Sequence, residues 1–177
     1  PYLFDIQVRL FGGGHTAYAE IAGHHTNVIA LQRDGEVLVE KEYLEQTSTH
    51  ATDHSLLNVE QIVRFADEAD LDDVRPTLQQ QIDCNTAIAR QGLEGHWGAE
   101  IGRILLRSYG DTVHNRAKAW AAAGSDARMN GCEMPVVINS GSGNQGLTAS
   151  LPVIVYAREM GVSEDTLLRA LLVSNLV

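Results

Sequence analysis

A segment rich in glycine and serine, residues 139–146, carries the residue types best suited to binding a small anion. Its glycines let backbone N–H groups approach a ligand closely, and it leads into a predicted helix whose free N–H groups and dipole favour negative charge. The lysine of phosphate-binding loops is absent, so the neutral donors indicate a small carboxylate rather than a nucleotide. A plain tight connection between helices is the alternative. The candidate ligand-binding side chains are Asn139, Ser140, Ser142, Asn144 and Gln145.

Arg128 offers a positive charge for the same anion. It lies in residues 125–128, a stretch without helical periodicity, which predicts a loop beside the glycine-rich segment. A guanidinium binds a carboxylate through two parallel hydrogen bonds. In the competing interpretation, Arg128 pairs with Asp126 and the two side chains only fix the loop.

The histidines give a weaker signal. His15 and His24 follow glycines, and turn chemistry explains both, whereas His25 remains a candidate substrate-binding group. His50 and His54 have the spacing of a helical zinc site, which would indicate a zinc hydrolase. Because their surroundings lack helical periodicity and a third ligand, the sequence predicts no metal ligands in this chain.

The cysteine count limits the redox chemistry that the chain can perform alone. Cys84 and Cys132 are far apart in sequence, which is typical of a cytoplasmic protein rather than of a disulfide framework. An iron–sulfur cluster normally takes three or four thiolates. We therefore expect no cluster ligand in this chain, and we interpret Cys84 as a small buried residue of a helix.

Hydrophobic patterning predicts an α+β fold, in which a small, mostly antiparallel β unit precedes a helical domain. Residues 1–45 alternate between apolar and polar side chains, and Asp34-Gly35 predicts a hairpin turn. Residues 46–55 are polar and indicate a linker, and residues 56–177 show helical periodicity. The predicted helices begin near Asn58 and Trp97 and cover about 73–91, 112–123, 151–160 and 164–177, with Pro152 in a first turn and Ser163 as a cap.

The net charge of −10 disfavours nucleic acids and anionic membrane surfaces as partners. The longest apolar stretches are too short to span a bilayer. Because the chain begins at Pro1 and ends within an apolar helical run, we interpret it as an excerpt of a longer protein, and a homo-oligomer would cover an open helical face.

Three motifs resemble the L-cysteine desulfidase family, whose members are also labelled serine dehydratase subunit alpha. They are residues 125–153, from Ser-Asp-Ala-Arg to Leu-Pro-Val, residues 92–102 and residues 23–28. The resemblance implies β-elimination of a small amino acid, namely conversion of L-cysteine to pyruvate, ammonia and sulfide, without pyridoxal phosphate. It also implies a four-iron cluster in the full-length protein, with ligands outside this chain.

By analogy with that family, Arg128 and residues 139–146 would hold the substrate carboxylate. The base that removes the α-proton is not identified by the motifs. Two alternatives stay open, an L-serine dehydratase and a sibling that binds a small carboxylate without catalysis.

Overall fold

The computed structural model describes residues 4–23, 26–42 and 57–177, and it confirms the predicted α+β class. The chain divides into two compact units, Pro1–Thr52 and Asp53–Val177. The first contains an antiparallel sheet and the second contains helices, and the candidate anion site lies within the second.

The sheet of the first unit has the order β1-β2-β3-β4, with every neighbouring pair antiparallel. The predicted turn at Asp34 and Gly35 is confirmed, because both residues have positive φ angles, 50° and 84°. His15 lies across the sheet end, with its Nδ1 2.8 Å from Asp34 Oδ2. The strands are β1 (Asp5–Gly12), β2 (His15–Ala22), β3 (Val28–Arg33) and β4 (Glu36–Glu40).

Strand β1 differs from the sequence expectation in its burial. The alternation of apolar and polar residues predicted a half-buried strand, but Ile6, Val8 and Leu10 are all exposed. Alternation places these side chains on one face of the strand, and it does not by itself supply a layer that covers them.

Six helices make up the described part of the second unit. Asn58 and Ser163 cap the first and the last, as predicted, by accepting hydrogen bonds from the N–H groups of Gln61 and Thr166. The helices are α1 (Val59–Glu68), α2 (Leu71–Glu94), α3 (Ile101–Tyr109), α4 (Val113–Met129), α5 (Gly143–Met160) and α6 (Glu164–Leu176).

Three predicted boundaries are wrong. Residues 125–128 are not a loop, because α4 continues through them to Met129. Helix α5 starts at Gly143 rather than near Leu151, so Pro152 lies in its interior and not in its first turn. Helix α2 continues past Gly92, which is buried within it rather than ending it. In each case the residues concerned are mostly small ones that pack against another element. Such residues contribute little to the apolar and polar periodicity from which the helices were predicted.

The core of this unit consists of two clusters that meet along α2. One joins α2 to α1, α5 and α6 through residues such as Leu78, Ile154 and Leu168. The other joins α2 to α4 and α5 through Ile88, Leu147 and their neighbours. Helix α5 contributes to both clusters, and its N-terminal end is therefore held from several sides. None of the helices among the described residues has both the length and the hydrophobicity that a membrane-spanning helix requires.

Candidate functional site

Residues 139–142 form a tight two-residue turn immediately before α5. The Asn139 N–H donates to the Ser142 carbonyl at 3.1 Å, and the Ser142 N–H donates back to the Asn139 carbonyl at 2.9 Å. Ser140 and Gly141 between them have φ angles of 47° and 77°, as a type I′ turn requires. The turn brings the chain directly into the first turn of α5.

The start of α5 presents free backbone donors. Ser142 caps the helix through its Oγ, which accepts from the Gln145 N–H at 3.4 Å. Among the described residues, no acceptor pairs with the N–H groups of Gly143 and Asn144. Free N–H groups at the positive end of a helix dipole favour a bound anion.

Arg128 lies across this helix start. It is in the last turn of α4, and its Nη1 donates to Asn144 Oδ1 at 3.2 Å. A Cβ atom added to Gly143 would fall 2.3 Å from the Arg128 Nε and 2.7 Å from its Cζ. The side chain therefore crosses directly over Gly143, and only a glycine leaves room for it.

The Arg128 guanidinium has no carboxylate partner in the described residues. The competing interpretation, an internal pair with Asp126, is wrong. Asp126 Oδ2 instead accepts a hydrogen bond from the Ile101 N–H at 2.8 Å and so caps α3. A half-buried guanidinium that lacks an acid is suited to binding an external carboxylate.

Asn139 fixes the turn to α6. Its Nδ2 lies 3.0 Å from both the backbone oxygen and the side-chain Oδ1 of Asn175. Asn175 is in turn held by Gln81 of α2 through two amide hydrogen bonds of 2.9 Å. Ser140 Oγ donates to Asn139 Oδ1. A surface recess of about 280 Å³ opens beside Asn139 and Ser140.

Asn85 and Ser150 support the site, and the sequence interpretation did not include them. Both side chains are fully buried, and Asn85 bonds Val137, Gly146 and Ser150. The available signal was the position of Asn85, which lies on the apolar face of α2 between Ile82 and Ala89. A buried amide needs partners, and here most of them are backbone groups.

The connection between α2 and α3 carries a separate group of titratable side chains. His96 Nδ1 lies 2.7 Å from Glu100 Oε1, and Arg103 also pairs with Glu100. The hydrogen bond from His96, and after it that from Arg103, lowers the pKa of Glu100. Gly98 of the same connection lies against Asp126 and Asn130, so the backbone of this connection packs against the end of α4.

The described residues do not fit an iron–sulfur cluster. In residues 4–23, 26–42 and 57–177, no three His, Cys, Asp or Glu side chains come together in a way that could hold a metal ion. Cys132 packs against the second core cluster, and Cys84 lies in α2. Four histidines that the sequence analysis considered, His24, His25, His50 and His54, lie outside the described residues.

The chain matches the family model of the serine dehydratase alpha chain over residues 26–177. Its relatives are described as UPF0597 proteins. That of Desulfitobacterium hafniense is 50% identical over 175 residues, 99% of this chain and 41% of the relative. That of Lachnoclostridium phytofermentans is 48% identical over 172 residues, 97% of this chain and 41% of the relative. No solved structure matches the chain.

These findings define an α+β protein in which the Arg128 side chain lies over the start of helix α5. The chain belongs to the serine dehydratase alpha chain family. It spans about two fifths of the length of the relatives that it matches.

Proposed function

We propose that the full-length protein is a lyase that catalyses β-elimination from L-cysteine, and that this chain binds the carboxylate of the amino acid. The observation that supports the proposal is the Arg128 guanidinium, which lacks an acid among the described residues and lies across the free N–H groups at the start of α5. L-Serine is the second candidate substrate, because the matching family is described as the serine dehydratase alpha chain.

The proposed reaction consumes one water molecule. A base removes the α-proton, the Cβ–S bond breaks, and its electron pair leaves on sulfur as sulfide. The resulting aminoacrylate takes up a proton at Cβ to give the imine, which water hydrolyses to pyruvate and ammonia. L-Serine would follow the same course and lose its hydroxyl group as water.

The residues of this chain have distinct parts in the proposal. Arg128 and the N–H groups of Gly143 and Asn144 bind the two carboxylate oxygens, as a bidentate cation and a helix start do. Two exposed side chains, Ser140 and Gln145, border the bound amino acid. The remaining predicted contacts hold the site: Asn139 attaches the turn to α6, Ser142 caps α5, and the Asn144 side chain orients Arg128. His25 remains a proposed substrate-binding residue.

The four-iron cluster that the resemblance implies belongs, in this proposal, to other parts of the full-length protein. A cluster normally takes three or four thiolates, and the chain has two cysteines in all. When bound, such a cluster supplies a Lewis acid for the leaving group. The chemistry assigned to this chain is confined to binding and orienting the amino acid.

The direct test uses the full-length protein, reconstituted with iron and sulfide in the absence of oxygen. L-Cysteine and L-serine are supplied separately, and pyruvate and sulfide are followed. Pyruvate with sulfide from L-cysteine supports the desulfidase, whereas pyruvate from L-serine alone supports the dehydratase. If the protein carries an intact cluster and forms no product from either amino acid, the proposal that it is a lyase is wrong. If such a protein still bound the amino acids, it would be a binding protein without catalytic activity.

Replacing Arg128 by alanine should raise the KM for the amino acid by roughly 10- to 150-fold, because hydrogen bonds to charged groups contribute roughly 1.5–3 kcal/mol. Lysine keeps the charge and loses the paired geometry, so R128K should lie between alanine and the wild type. The matched control is R107A, which removes an exposed arginine from α3. If KM stays unchanged in R128A while the melting temperature falls, Arg128 is a purely structural residue.

Gly143→Ala should weaken amino-acid binding while leaving the fold nearly intact. The three atoms nearest to the new Cβ all belong to the flexible Arg128 side chain, which can rotate away and lose its position over the helix start. We expect the affinity for the amino acid to fall several-fold and the melting temperature without ligand to stay close to that of the wild type. The shift in melting temperature that L-serine induces measures the affinity. The control is Met160→Ala, at the exposed end of α5. An unchanged shift would argue against contact between Arg128 and the ligand.

A further inference from the structure

We infer that Asn85 is the positioning residue of the carboxylate site. Its buried amide joins the strand-like segment before the turn to the first turns of α5, and thereby sets where the free N–H groups and Arg128 point. The inference rests on the proposed function and deepens it, because it assigns the geometry of that site to a residue that touches no ligand.

The contacts of Asn85 use both ends of its amide. Oδ1 accepts from the Val137 N–H at 2.9 Å. Nδ2 lies 2.9 Å from Ser150 Oγ, 3.2 Å from the Val137 carbonyl and 3.3 Å from the Gly146 carbonyl. The side chain is fully buried, so these contacts are not exchanged with water. One side chain of α2 therefore binds both backbone segments that flank the turn.

The two segments also touch each other at the same place. A Cβ atom added to Gly146 would fall 2.1 Å from the Val137 carbonyl oxygen and 2.9 Å from the Ile138 Cα. Ser150 Oγ donates to the Gly146 carbonyl at 2.7 Å and hence accepts from Asn85. This chain of bonds runs in one direction, and such networks polarise and stiffen one another.

Within residues 57–177, Asn85 is the fully buried side chain that bonds both the segment before the turn and the start of α5. Asn139, two residues after Val137, is bonded to Asn175, which attaches the turn to α6 as well. Loss of the Asn85 amide would leave the 137–139 segment free to shift relative to the α5 start. A shift of about 1 Å at a binding site can change function by a large factor, so the effect should appear in binding rather than only in folding.

The experiment compares three variants of the full-length protein. Asn85→Ala removes the amide. Ser150→Ala removes one partner and keeps the Val137 bonds, and it is the milder variant if Asn85→Ala folds poorly. The matched control is Thr86→Val, an almost isosteric change at the neighbouring buried position, whose hydroxyl is bonded to Arg158 and not to the turn. KM and kcat for L-cysteine and L-serine are measured, together with hydrogen exchange of the amides in residues 137–146.

We expect Asn85→Ala to raise KM by about tenfold and Ser150→Ala by about threefold, with kcat per folded molecule nearly unchanged. Amides of residues 137–146 should exchange faster in both variants and not in Thr86→Val. Loss of folded protein alone would lower the apparent kcat and leave KM as it is. That outcome in Asn85→Ala and Ser150→Ala would overturn the positioning role.

R128A separates this inference from the proposed function on which it rests. If R128A loses amino-acid binding while Asn85→Ala keeps the wild-type KM, only the positioning role is overturned. If the wild-type protein shows neither turnover nor a ligand-induced shift in melting temperature, the proposed function and the inference fail together.

Discussion

Replacing Gly92 by alanine should lower the free energy of unfolding of the helical unit by about 2 kcal/mol. Gly92 is buried in α2 where this helix meets α4, and a Cβ atom there would fall 2.1 Å from the Ala123 carbonyl oxygen and 2.5 Å from its carbon. Both atoms are backbone, so the clash can be relieved only by separating the two helices. Overpacking costs roughly 1–3 kcal/mol and more where backbone must move, which outweighs the roughly 1 kcal/mol that alanine gains in helix propensity.

Urea denaturation followed by far-ultraviolet circular dichroism measures this effect. The matched control is Gln91→Ala, one residue earlier on the exposed side of the same helix, which should change the free energy of unfolding by less than about 0.5 kcal/mol. If G92A were as stable as this control, α2 and α4 would have to pack further apart than the structure shows.

Gly146→Ala should impair both stability and ligand binding. Its Cβ would meet the Val137 oxygen, the Ile138 Cα at 2.9 Å and the Asn139 nitrogen at 3.0 Å, all of them backbone atoms. The 137–139 segment must therefore leave α5, which breaks the Asn85 contacts as well. We expect a loss of about 2–3 kcal/mol in stability and a KM raised by more than about tenfold.

The comparison with Gly143→Ala makes the Gly146 prediction specific. The two glycines lie in the same first turns of α5, but an added methyl group meets the end of a flexible side chain at Gly143 and fixed backbone at Gly146. Melting temperature and KM should therefore both change in G146A, whereas in G143A mainly binding should change. Equal melting temperatures for the two variants would contradict this account.

Local signals were sufficient where one residue and its near neighbours decide the structure. Asn58 and Ser163 cap their helices through N–H groups three residues ahead, so the sequence alone indicates both starts. Asp34 and Gly35 adopt the positive φ angles that their types tolerate. The glycine-rich segment was predicted to lead into a helix, and α5 begins within the segment, at Gly143.

Tertiary packing decided the features that the sequence did not reveal. Helix α4 buries small residues such as Ala119, Ala123 and Gly124, whose low hydrophobic contrast hides its continuation to Arg128. Because α4 continues through Asp126, this side chain does not pair with Arg128. It accepts a hydrogen bond from Ile101, which lies 25 residues away in the sequence. Asn85 could not be linked to the site because its backbone partner Val137 is 52 residues distant and carries no side-chain signature.

The meeting of two helix ends at Arg128 has a thermodynamic consequence. The guanidinium, on the final turn of α4, is attracted by the carbonyl end of its own helix and repelled by the N–H end of α5, over which it lies. Without an anion, the positive guanidinium faces the positive N-terminal end of α5, and a carboxylate bound between them removes this repulsion. By linkage, the occupied protein is then the more stable form, and added salt, which screens the repulsion in the empty site, should reduce the stabilisation that a ligand provides.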